Sequence, residues 1–119
     1  MWQKITYYYL GLATEILAIF YLTMNGHRLV EWRFKSKFGE VDLITIRNKS
    51  IYFIEVKYRS SFVDQYQLVS NKQSQRIKSA AKFYLSKHTY YEKHDVHLDL
   101  FAFSPPFNIQ YYSNYFTNN

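Results

Sequence analysis

Apolar and polar positions in this chain fall into runs of two periods. From Ile5 to Met24 only Glu15 carries a charge. A run without a polar face predicts a helix packed on more than one side. Gly26 is placed to close it at the C′ position, with His27 and Arg28 beyond. The period then shortens to two. His27–Phe34, Val41–Ile46 and Ile51–Tyr58 are rich in strand formers and predict three strands, the last two joined by Arg47-Asn48-Lys49-Ser50. Ser60–Val69 has no clean period and reads as a loop. Ser70-Asn71-Lys72-Gln73 has the form of a capping box. The helix it opens runs to about Lys87, with Ile77, Ala80, Ala81, Tyr84 and Leu85 on one face. Val96–Phe103 predicts a strand stopped by Pro105-Pro106, and Phe107–Tyr112 a short edge strand or extension. Residues from about 113 to 119 are expected to fray. The order α-β-β-β-α-β-β predicts an α/β fold, a mixed sheet flanked by helices, formed by residues 1–119 as one domain.

Composition narrows the chemistry. The chain has no cysteine, so disulfide frameworks, Cys-ligated zinc and thiol nucleophiles are excluded. Its 15 Lys and Arg against 9 Asp and Glu give a net charge of +6, which points to a polyanionic partner, a nucleic acid or an acidic membrane. The first helix is long enough to span a bilayer. Glu15 near its middle would cost about 2.5–3.5 kcal/mol there. With Tyr and Thr hydroxyls along the helix and no signal-cleavage pattern, stable membrane insertion is not expected. A buried Glu15 needs a cationic partner, a proton or a metal ion.

The hairpin carries the strongest chemical signal. If Asn48-Lys49 is its two-residue turn, Arg47 faces Ser50. Stepping outward, Asp42 then faces Glu55 and Glu40 faces Lys57, all four on one face of the sheet. Two carboxylates directly opposite have Cβ atoms about 4.5–5.5 Å apart and repel. Their apolar flanks argue against a solvated face, so something positive belongs between them. Oxygen donors without Cys or a His pair favour Mg²⁺ or Mn²⁺ over zinc. Lys57 could hold or activate a water, or offset charge in a phosphoryl-transfer transition state.

An Asp, a strand return and then Glu-x-Lys resembles the PD-(D/E)xK nuclease core, here Asp42, Glu55 and Lys57, with Val41 in place of the usual Pro. Gly39-Glu40-Val41-Asp42-Leu43-Ile44 and Phe53-Ile54-Glu55-Val56-Lys57-Tyr58-Arg59 together resemble the small bacterial YraN family, which is similar to archaeal Holliday-junction resolvases. Gly11, Glu15-x-x-Ala18, Tyr21-Leu22 and Gly26 fit that pattern's first helix. Lys72, Arg76, Ala80, Ala81 and Tyr84-Leu85 fit its second, and Leu98–Phe103 its last core strand. The resemblance implies a restriction-endonuclease-like fold and a metal-dependent nuclease acting on DNA, with branched DNA among the substrates to test. It also implies Glu15 as a third site carboxylate beside Asp42 and Glu55, all three at the metal, and a cytoplasmic location. Related resolvases pair to match a two-fold junction, which makes a homodimer an open expectation. The alternative is a non-catalytic DNA-binding or adaptor module on the same fold.

Around that core, Lys72, Arg76, Lys78, Lys82 and Lys87 charge the second helix, and no acidic residue lies between Gln65 and Tyr91. Such a face is either merely solvated or makes phosphate contacts, with Lys72 and Arg76 sharing one side. Lys35, Lys37, Arg47 and Lys49 could add to the field. Arg59, directly after the motif strand, is the first candidate for phosphate contact outside the catalytic residues. His27, His88, His94 and His97 have no metal-binding spacing. Asp99, within an apolar strand, reads as a structural hydrogen-bond acceptor.

Overall fold

A computed structural model describes residues 2–60 and 69–117. Most of the expected loop, residues 61–68, lies outside the described residues, as do the last two positions. The elements are α1 (Trp2–Met24), β1 (Arg28–Lys35), β2 (Glu40–Arg47), β3 (Ser50–Tyr58), α2 (Asn71–Lys87), a 3₁₀ turn (Thr89–Tyr91), β4 (Asp95–Ser104) and β5 (Asn108–Tyr112). The five strands form one sheet in the order β1-β2-β3-β4-β5. β3 and β4 run parallel, and the other neighbours antiparallel. A parallel pair needs a crossover, and α2 supplies it. The result is a mixed sheet flanked by helices in the expected order, consistent with a restriction-endonuclease-like fold.

Local chemistry explains the boundaries. Gly26, at φ +88°, ends α1: its N–H donates to Thr23 and that of His27 to Leu22, a Schellman closure. Asn48 takes the positive φ of 57° the hairpin turn needs, and Arg47 pairs with Ser50. Ser70 caps α2 by accepting the Gln73 N–H at 3.2 Å. One face of the sheet, with Ile44, Ile46, Ile51, Phe53, Leu98 and Leu100, packs with Ile77, Ala81 and Tyr84 of α2. The other, with Leu43, Tyr52, Ile54 and Phe101, packs with Ala18 and Leu22 of α1.

Two expectations fail. α1 is not enclosed: Thr14, Ala18 and Leu22 form its buried stripe, while Tyr7, Tyr8, Tyr9, Phe20 and Met24 are exposed. Its apolar character does not mark a second packing partner within the described residues, and by length and composition it is a helix able to cross a membrane. The fraying expected from Ser113 does not set in by Thr117. Phe116 is fully buried in the α2-side core and its N–H donates to Leu98. Asp99 is the structural acceptor expected. It is buried, and it receives the Tyr111 hydroxyl and the Asn114 N–H.

Candidate active site

Pairing between β2 and β3 follows the hairpin register from Arg47–Ser50 out to Leu43–Ile54, and the paired residues go no further. On the other side of β2, Trp32 pairs with Leu43 and Phe34 with Val41, skipping Arg33 and Asp42. The pleat slips here as well: Val41 and Ile44 belong to the same core layer, whereas strict alternation would separate them. Asp42 therefore sits where the ladder opens on both sides. Its Oδ2 takes the place of a backbone acceptor and receives the Val56 N–H at 2.8 Å.

The Asp42 and Glu55 side chains come close enough at this opening for each to act on the other's ionisation. Burial pushes both carboxyls up. Glu55, with the Asp42 charge also against it, rises to about 9. Burial and mutual repulsion therefore disfavour a doubly ionised pair. Lys57 Nζ lies 3.6 Å from Glu55 Oε2, and both side chains are largely buried. Two carboxylates with an amine alongside are donors of the kind a hard divalent ion takes.

Two clefts adjoin the pair, and Glu40 lines both. One, of about 220 Å³, is lined by Asp42, Tyr8, Arg33 and Lys35. The other, of about 180 Å³, brings Lys72 and Arg76 of α2 beside Glu55. Gly39 makes the second arrangement possible. A Cβ there would lie 2.0 Å from the Arg76 carbonyl oxygen, so only glycine lets this turn approach α2.

Several expected positions differ. Glu40 does not pair with Lys57. Its carboxylate is 4.0 Å from Arg76 across an exposed edge, at the start of β2 beyond the residues that pair with β3. Glu15 approaches closely enough for its charge to raise Asp42, but its own oxygens are taken: Oε1 accepts from Trp32 Nε1 at 2.7 Å and from Arg33 Nε at 2.9 Å. Among the described residues, no group of three His, Asp or Glu side chains is gathered tightly enough to hold an ion, so Glu15 stands beside the pair and not in it. Arg59 donates to the Tyr58 carbonyl at 2.9 Å. Arg47 is held at the far end of the sheet by Tyr52 and Asn25. Sequence reasoning missed Arg33, Trp32 and Tyr8. Arg33 has φ 60°, a left-handed value that strand periodicity gives no means of anticipating.

The chain matches the model of a family described as "Uncharacterised protein family UPF0102" over residues 14–103, which contain all of the expected site residues. It is similar to a UPF0102 protein of Ehrlichia chaffeensis, 35% identical over 87% of this chain and 83% of that one. A UPF0102 protein of Bartonella tribocorum is 36% identical over 87% and 79% of the two chains. One of Nitrobacter winogradskyi is 33% identical over 87% of each.

Proposed function

The chain belongs to UPF0102, a YraN-like family of uncharacterised proteins, and from that premise we propose that it is a cytoplasmic metal-dependent nuclease that hydrolyses phosphodiester bonds in DNA, branched DNA included. One observation carries the reading: a buried carboxylate pair with an amine at 3.6 Å, flanked by clefts that bring Arg33 and Lys35 to one side and Lys72 and Arg76 to the other. Asp42 and Glu55 would hold Mg²⁺ or Mn²⁺. When bound, the ion supplies a Lewis acid to a phosphoryl oxygen. The protein's own groups do the rest. The Val56 N–H fixes the orientation of Asp42. Glu55 gives up its proton when the site is loaded. Lys57 offsets the charge that grows on the phosphate and orients the attacking water. Lys72 and Arg76, beside Glu55, would hold a flanking phosphate, and Glu15 steadies Arg33 at the cleft wall.

The test is cleavage of labelled duplex, flapped and four-way-junction DNA with Mg²⁺ or Mn²⁺. Wild type should cut at least one of them, and Asp42→Asn, folded as judged by its melting curve, should cut none. Equal cutting by both proteins would contradict the assignment. A second reading, a DNA-binding module without cleavage, draws on Glu15 standing outside the carboxylate pair. It predicts salt-sensitive DNA binding that chelators leave unchanged.

A further inference from the structure

Beside the carboxylate pair lies a row of flat side chains that the cleavage chemistry does not use. Tyr8, on α1, lines the cleft that contains Asp42, yet is 55% exposed. The Arg33 guanidinium lies 5.9 Å from the centroid of its ring and 5.7 Å from that of Trp32, itself 43% exposed. Tyr9 meets Tyr8 edge-on at 5.4 Å. This row is built at a cost. A non-glycine residue with φ near +60° is sterically disfavoured, and Arg33 adopts φ 60° within a strand. Glu15 holds the strained arginine with a 2.9 Å ion pair and binds Trp32 at 2.7 Å, so one acidic side chain fixes both ends of the Arg33–Trp32 part of the row. A buried core would explain clustered rings, but Tyr8 and Trp32 are open to solvent, Tyr8 within the cleft and Trp32 next to the cleft residue Arg33. Phosphate alone would need the cations and not the rings.

We propose that Tyr8, backed by Arg33 and Trp32, is a stacking platform for an unpaired nucleobase, so that the substrate presents a single-stranded nucleotide next to the bond to be cut. The proposal rests on the nuclease reading and makes it more specific. Bases within a duplex have no free face to offer a side ring, whereas an overhang, flap or junction arm does. Stacking is indifferent to base identity, so the platform selects structure and not sequence.

The experiment measures binding of the full chain, without divalent ions, to three fluorescent probes: an oligothymidylate, the same strand carrying abasic sites, and a blunt duplex. The proteins are wild type and Tyr8→Leu, with Trp32→Leu as a second variant and thermal melts to confirm folding. Tyr8→Leu should bind the intact strand about tenfold more weakly, with the abasic strand and the duplex unchanged. Equal losses on intact and abasic strands, or no loss on either, would overturn the platform while leaving the nuclease reading standing. Failure of wild type to bind any of the three probes, both without divalent ions and with Ca²⁺ added, would overturn both.

Discussion

Replacing Glu55 by Gln should stabilise the protein at neutral pH and remove much of its pH dependence. In the folded chain Glu55 is pushed from an ordinary carboxylate value to about 9, first by burial and then by the Asp42 charge. Below about pH 4.5 both folded and unfolded states carry the proton and nothing is lost. Above it the unfolded chain releases the proton, the folded chain keeps it, and stability falls as pH rises towards the folded value. The slope is about 1.4 kcal/mol per pH unit, so from about pH 5 to pH 7 the wild type should lose about 2–3 kcal/mol through this group. Its side chain is largely buried, so solvent screening takes little from that figure. Gln keeps a donor towards Asp42 at every pH and cannot ionise. Denaturant unfolding of both proteins between about pH 5 and 8 gives the comparison, and Glu55→Gln should melt roughly 5–10 °C higher at pH 7. Parallel stability curves would refute the raised Glu55 value, and with it the reason for placing a cation there.

Gly39→Ala should cost about 1–3 kcal/mol in unfolding free energy, since its Cβ meets the backbone carbonyl of Arg76 and no side-chain rotation relieves it. His27 is buried and bonded to Thr45; burial first, then the Arg47 charge, lowers it to about 4. The unfolded chain therefore takes up a proton that the folded chain refuses, stability should fall as pH drops from about 6.5 to 4, and His27→Gln should flatten that limb in acid titrations followed by circular dichroism. Lys72→Ala with Arg76→Ala should weaken DNA binding across sequences alike and reduce the slope of log K against log salt by about 2, measured by anisotropy.

Much of the site was legible because a two-residue turn fixes a register. Once Arg47 faces Ser50 the register runs out to Leu43 and Ile54, which brings Asp42 and Glu55 to the end of the paired ladder, and Ser70 likewise announces the start of α2. What the register could not carry was the slip at Asp42. Val41 and Ile44 share a core layer, pairing with β3 ends at Leu43, and Glu40 lies beside Arg76 and not Lys57. Nor does apolar patterning state how many sides of a helix find partners, which is why α1 read as enclosed and is half open. Glu15 was recognised as needing a reason, but its partners Trp32 and Arg33 depend on a left-handed residue inside a strand. Phe116 is anchored by joining the α2-side core, a long-range contact that no local pattern reports.

Calorimetric titration of Mn²⁺ into wild type and Asp42→Asn, each near pH 7 in two buffers of different ionisation enthalpy, bears most directly on the central pair. The wild type should bind one ion and release about one proton as it does so, and Asp42→Asn should bind none. No binding by wild type, binding that Asp42→Asn retains, or a heat that is the same in both buffers would contradict a cation held by Asp42 and Glu55 in place of the Glu55 proton.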